Sequence, residues 1–450
     1  MGNNYEKCYE ASNCYCSIYL FIYLFIYCGK LWRYLLTDDV DSYTRIMMHQ
    51  LYTSEKNIDV VFVGSSHVYR SLVPEITDKG FESYTFNAGT SAQQMDGSLA
   101  LIREIEKNND IKHAYVELYY GVAEIGKRID RVELTATYII SDYMKPSLNK
   151  VNYLLKASSK QYWINSFIVA RRNWQKIFDL NYIKDILIRK SCDTYKNYEY
   201  YRSEGSVQYY VDRGFVAWDD TIGEDYFLKN EESINGVRKD YDSLKDTDWE
   251  KSIQEIVSFC DTKGIELTFF IAPMPEGTLV ATGDYSTYHK AIEEISNEYG
   301  IKFYDFNLCR DEIFDTNNRQ LFKDEDHLNT DGAEEFSRVF CDFFMGKYTV
   351  VEAFYSSFEE KIENRDIAFY GIVTHTSVEN PEIKNCRIVS KTVLPYQYKI
   401  IAIPKDEESR VIQEFSSNLE FDLPTDERGQ LVIMWKNISD EEIQTIKCTY

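Results

Sequence analysis

Residues 58–64, Ile-Asp-Val-Val-Phe-Val-Gly, form a short apolar run that stops at a glycine, the pattern of a strand buried on both faces. A helical spacing follows through Tyr69, Leu72 and Ile76 to Gly80, then a second strand at 83–87, a helix from Asp96 to about Asn108 and a third strand at 114–119. The rhythm returns later with a helix from Trp249 to Thr262 closed by Gly264, a strand at 266–272, and a helix from Tyr285 to Tyr299 closed by Gly300. A strand at 302–306 and a last helix from Thr330 to Phe344 complete it. Glycine suits the left-handed position that ends a helix. Strands and helices in alternation predict an α/β fold, a parallel sheet of at least five strands with helices on both faces.

Between 125 and 245 the alternation is interrupted by helical stretches at 147–156 and 164–187 and by a tyrosine-rich segment at 195–201 with Tyr209 and Tyr210. This is too long for a crossover and too patterned for a loop, so a helical, aromatic-rich cap is expected there. After Gly346 the period changes to two, with runs at 368–373, 386–393, 398–403, 419–423 and 431–435 separated by acidic turns. That spacing predicts a small antiparallel β-sandwich over 347–450.

At the other end, Ala11 to Gly29 are nineteen residues without a charge. A membrane span needs about 20 mostly apolar residues, so residues 1–36 are expected to hold a single-pass anchor. Tyr15, Tyr19, Tyr23 and Tyr27 form a polar-edged stripe along it. Lys30, Arg33 and Arg45 follow the run and only Lys7 precedes it, so a positive-inside count would leave the body in the cytoplasm.

Composition narrows the function. The 450 residues carry 50 Lys or Arg against 73 Asp or Glu, a formal charge of −23, which repels a phosphate backbone and argues against nucleic acid as a partner. The ten cysteines contain no C-x-x-C and four lie before residue 29, so neither a disulfide framework nor a zinc ribbon is read, and no cofactor is implied. Aromatic residues make up 15% of the chain, and Tyr alone numbers 37. Such flat amphipathic side chains line sugar and acyl grooves and also fill cores.

Three segments carry candidate chemistry. Gly64-Ser65-Ser66-His67 stands where β-strand turns into helix, at the carboxyl end of a parallel strand where open α/β sheets bind ligands. A serine there can act as a nucleophile, and it can also simply cap the helix. Asp324-x-x-His327 precedes the last helix; the histidine could serve as general base and the aspartate could orient it. The loop Asn87-Ala-Gly89-Thr-Ser-Ala92 could offer backbone amides to an oxyanion.

In this order the three segments resemble the SGNH/GDSL hydrolase superfamily, over about residues 56–346 apart from the insertion. The form Gly-Ser-Ser-His with Asp-His-Leu-Asn is most similar to the membrane-anchored branch of teichoic-acid D-alanine transfer and alginate O-acetyltransferase-like domains. The resemblance implies a flavodoxin-like sheet and a serine esterase or acyltransferase that forms an acyl-Ser66 intermediate. On it Ser66 is the nucleophile, His327 the base and Asp324 its partner. The Ser66 amide with that of Gly89 or Ala92 forms the oxyanion hole, beside Asn87, while His67 packs or positions substrate. It further implies a carbohydrate or acylated small-molecule substrate, a membrane acyl-donor protein as a partner, and a catalytic domain outside the cell. The alternative is an inactive glycan-binding or assembly protein, because the third family segment, Gly-x-Asn-Asp, is replaced by Glu117-Leu-Tyr-Tyr-Gly121 without the oxyanion-donating asparagine.

Overall fold

The computed structural model describes residues 29–37, 39, 42–122, 134–222, 244, 247–283, 285–377, 380–405, 407–440 and 442–450. Residues 11–28 of the uncharged run, and with them the expected anchor, lie outside these residues, as do 125–133 and 223–243 of the expected insertion. Among the described residues no helix is long and apolar enough to cross a membrane. The chain divides into two compact units, residues 1–49 with 127–201 and residues 50–126 with 202–450.

The larger unit contains strands β1 (Val60–Val63), β2 (Thr85–Asn87), β3 (His113–Glu117), a hairpin of β4 (Gln208–Tyr210) and β5 (Val216–Trp218), β6 (Glu266–Ile271) and β7 (Lys302–Asp305). Five of them form an all-parallel sheet in the order β2-β1-β3-β6-β7, flanked by helices. Counting parallel strands alone this is 2-1-3-4-5, and connections leave in opposite directions from β1 and β3, which opens a crevice at their carboxyl ends.

Neighbouring residues of a strand face opposite sides of the sheet. On one side the helix Thr330–Phe344 lays Phe340 within 5.1–5.8 Å, ring to ring, of Phe62, Tyr115, Phe270 and Phe306. A second helical layer pairs Met95–Glu106 with Asp248–Lys263, burying Leu99, Ile102, Ile105, Ile253 and Ile256. The latter helix ends at Gly264 with φ 69°, as the sequence predicts. The helical spacing of 69–80 is in fact two helices, Ser66–Ser71 and Pro74–Phe81. Pro74 lacks an N–H and pushes Val73 into extended geometry, so it starts a helix and cannot continue one. The β4–β5 turn guards an edge of the sheet: the Asn87 amide donates to Arg213 O at 3.0 Å, and Arg213 pairs with Asp78 at 2.7 Å.

In the smaller unit, residues 29–36 are helical and the stretch 164–187 is broken into Trp163–Phe167, Val169–Arg172, Trp174–Phe178 and Leu180–Ser191. The breaks fall at Ile168 and Asp179, both extended, and at Asn173; the Asp179 carboxylate caps the last helix by accepting from the Tyr182 amide. Tyr195 and Tyr198 of the tyrosine-rich segment enclose the Arg45 guanidinium at 3.6 and 4.0 Å from their ring centres.

The C-terminal strands are β8 (Ile367–Thr376), β9 (Ile383–Lys391), β10 (Tyr396–Pro404), β11 (Arg410–Ser416), β12 (Glu420–Pro424), β13 (Gly429–Asn437) and β14 (Gln444–Thr449). They form two antiparallel sheets, β11-β10-β13-β14 and β12-β9-β8, which bury Ile372, Ile388, Ile400, Leu431 and Ile433 in one core. Residues 350–362 belong with the parallel sheet: Phe354 packs on Phe306 and Phe343, and Phe358 on Tyr285. The two bodies meet at Glu276, whose fully buried carboxylate takes a forked pair from Arg365 (2.9 and 2.7 Å) and the Tyr370 hydroxyl (2.5 Å). Asp311 holds the same guanidinium at 2.8 Å. Replacing Arg365 by Ala leaves the Glu276 charge buried without its partner, so urea unfolding of R365A should show a loss of about 3–5 kcal/mol. Unchanged stability would show that the pair does not hold the junction.

Candidate active site

Ser66 sits at the first position of its helix, directly after β1, with Ser65 as the cap that accepts from the His67 amide. What fixes this turn is Glu117, the last residue of β3, the strand beside β1. Its Oε2 accepts from the Ser65 amide at 3.1 Å and the Ser65 hydroxyl at 2.9 Å. Gly64 is required by the same contact: a Cβ there would lie 2.7 Å from Glu117 Cβ and 2.5 Å from Val68 Cγ2.

Across the crevice, the loop before the last helix brings in His327. Ser66 Oγ and His327 Nε2 are 2.8 Å apart, and His327 Nδ1 is 2.9 Å from Asp324 Oδ1. Asp324 Oδ1 also accepts from the amides of Asp326 and His327, each at 2.9 Å, and Oδ2 pairs with Lys323. Lys323 in turn lies 4.4 Å over the Trp218 ring of β5. Burial alone would raise the Asp324 carboxyl, but His327 and Lys323 override it and hold the group well below the usual carboxylate range. An ionised Asp324 can only accept, which puts the neutral imidazole's proton on Nδ1 and leaves Nε2 to accept from the Ser66 hydroxyl. The loop is anchored by Asn329, which caps the helix through the Gly332 amide (2.9 Å) and donates to Gln320 O (2.7 Å).

The remaining expected site residues have other partners. Asn87 is buried, its amide group donating to Val68 O and Leu72 O at 2.8 and 2.9 Å and its Oδ1 accepting from the Gly89 amide at 3.1 Å. The Gly89 amide, expected to face an oxyanion, is directed at Asn87 Oδ1, and the residue lets its loop close on the Ser66 turn, since a Cβ would meet Tyr69 N at 2.8 Å. Ala92 is exposed, in left-handed geometry at φ 50°. Among the described residues the Ser66 amide and those of Ser91 and Ala92 have no acceptor. His67, expected to pack or to position substrate, is 2% exposed and packs. Its ring stacks 3.8 Å from Tyr119 and 4.7 Å from the His327 ring. Burial, reinforced by His327, lowers its pKa well below the ordinary imidazole value, so it is a neutral packing group.

Sequence reasoning gave Glu117 no role, although a lone acidic residue within the otherwise apolar or aromatic run 114–119 is a visible signal. Burial raises its carboxyl to about 8, against the two Ser65 hydrogen bonds that favour the anion. Its Oε1 is 3.7 Å from His67 Nδ1, too long for a hydrogen bond.

Other histidines do not reproduce the arrangement. His113 Nε2 meets the Thr268 hydroxyl at 2.9 Å, but at the amino-terminal half of the strands, and its Nδ1 is 3.7 Å from Glu266. His289 shares Asp305 with the Tyr285 hydroxyl and has no serine partner among the described residues. No family model matches the chain, and it shows no significant similarity to a curated protein.

The Glu117 shift fixes a pH dependence. The unfolded chain releases this proton near pH 4.3, whereas the folded chain keeps it to about pH 8. Between these values the folded state binds more protons, so stability falls as pH rises, by a few kcal/mol in all, and the full cost is present above pH 8. In Glu117→Gln that slope should disappear while the acceptor for Ser65 is kept. Denaturant midpoints from pH 5 to 8.5 measure it, and parallel profiles for the two proteins would refute the assignment.

Proposed function

We propose that the chain is an SGNH-type serine acyl-ester hydrolase or O-acyltransferase acting through an acyl-Ser66 intermediate. The observation that carries this reading is the continuous chain Ser66–His327–Asp324 at the carboxyl ends of a parallel sheet, between segments 261 residues apart in sequence. His327 Nε2 takes the Ser66 proton as Oγ bonds the ester carbonyl carbon, and Asp324 stabilises the imidazolium that forms. The proton passes to the leaving oxygen as its bond to carbon breaks. Water or a carbohydrate hydroxyl then gives its proton to Nε2 and takes the acyl group, restoring Ser66. The Ser66 amide is the donor suited to the developing oxyanion. Loss of the family's asparagine donor would cost about 3 kcal/mol in a hydrolase that depends on it, which favours a slow enzyme with a demanding acceptor. The uncharged run of 11–29 supports a place at the cell envelope and a glycan or teichoic-acid-like acceptor.

A fluorophosphonate probe should label the purified protein at Ser66. Ser66→Ala should abolish labelling, and His327→Gln should slow it on the order of a hundredfold or more. An unlabelled wild type, or labelled S66A, would overturn the nucleophile. Glycan binding equal in wild type and S66A without ester turnover would instead establish the inactive glycan-binding reading, which the missing asparagine favours.

A further inference from the structure

The smaller unit carries a surface that its own fold does not explain. Residues 145–192 hold ten Lys or Arg against two Asp or Glu, in a chain whose totals are 50 against 73. The same segment exposes Ile164, Phe167, Ile168, Trp174, Phe178 and Leu180, with Phe178 at 75% and Leu180 at 79%. Phe167, Trp174 and Phe178 are the exposed Phe and Trp side chains among the described residues. In the helix Leu180–Ser191 the inward positions are Ile186 and Lys190, while Leu187 and Ile188 point outward, so its apolar residues exceed what one buried face uses. Lys160, Arg171 and Lys184 are exposed among these side chains.

Exposed aromatic and aliphatic residues interleaved with bases are the composition of a segment that lies in a membrane interface, where apolar groups enter the acyl boundary and bases meet anionic headgroups. The opposite sign of the rest of the chain makes the preference local. The position agrees, because the described helix at 29–36, with Lys30, Leu31, Arg33 and Tyr34 exposed, belongs to the same unit and directly continues the nineteen-residue uncharged run.

We infer that the helices spanning 160–189 form a docking face for an anionic lipid bilayer, separate from any anchoring by residues 11–29 and independent of the chemistry at Ser66. Hydrogen–deuterium exchange of the full chain tests it, with vesicles of phosphatidylcholine and phosphatidylglycerol (3:1) compared with phosphatidylcholine alone. Peptides from 160–189 should be protected by the anionic vesicles only. Combined Lys160→Glu, Arg171→Glu and Lys184→Glu should weaken that protection on the order of a hundredfold in lipid concentration. Phe167→Ser with Trp174→Ser and Phe178→Ser should remove it without altering exchange in the parallel-sheet strands. Protection confined to peptides before residue 29, equal protection by neutral vesicles, or none by either, as for a face that binds an acidic protein, would overturn the inference.

Discussion

The candidate site depends on one buried carboxyl group. Glu117 ends the strand beside β1 and receives both the amide and the hydroxyl of Ser65, so the residue before Ser66 cannot rotate or shift without breaking two buried hydrogen bonds. A buried polar group deprived of its partners costs about 1–3 kcal/mol, more than most surface contacts supply. Gly64 and Gly89 follow from the same constraint, because each gives up a side chain so that Glu117 and the loop after β2 can close around the turn.

His327 is held by different means. Asp324 gathers three donors on one oxygen, and one of them is the imidazole it orients. Behind the imidazole stand His67 and Tyr119, stacked on one another, so the space into which His327 could swing inward is filled by a neutral ring. Phe340 matters here too, because it ties the helix that follows this loop to β1, β3 and β6 together. The distance between Ser66 and His327 is thus a property of the core.

Much of this was legible in the sequence because it follows period. The strands β1 and β6 are near-continuous apolar runs, and helices such as Asp248–Lys263 carry a cap and a closing glycine at their ends. The edge strands β11 and β14 were not legible: β14 buries Cys448 alone and β11 buries no residue completely, so neither shows the alternation that β10 and β13 carry. The serine, histidine and aspartate could be found by their place in the chain. The partners of Asn87, Gly89 and His67 could not, since they depend on which donor faces which acceptor after folding. The place of Tyr195 and Tyr198 was hidden for the same reason, as composition cannot distinguish a tyrosine that lines a groove from one that surrounds an arginine.

The junction at Glu276 makes the parallel-sheet body and the C-terminal sheets mutually dependent. The change of texture after Gly346 suggests an appended module, yet Arg365 and Tyr370 from beyond that point satisfy a carboxylate that belongs to the parallel-sheet body. Lys361, itself buried, donates to Asn307 O and to the Thr316 hydroxyl on the same side. A chain cut at the texture boundary would take Arg365, Tyr370 and Lys361 from Glu276, Asn307 and Thr316 together. The two parts therefore depend on one another for the partners of Glu276.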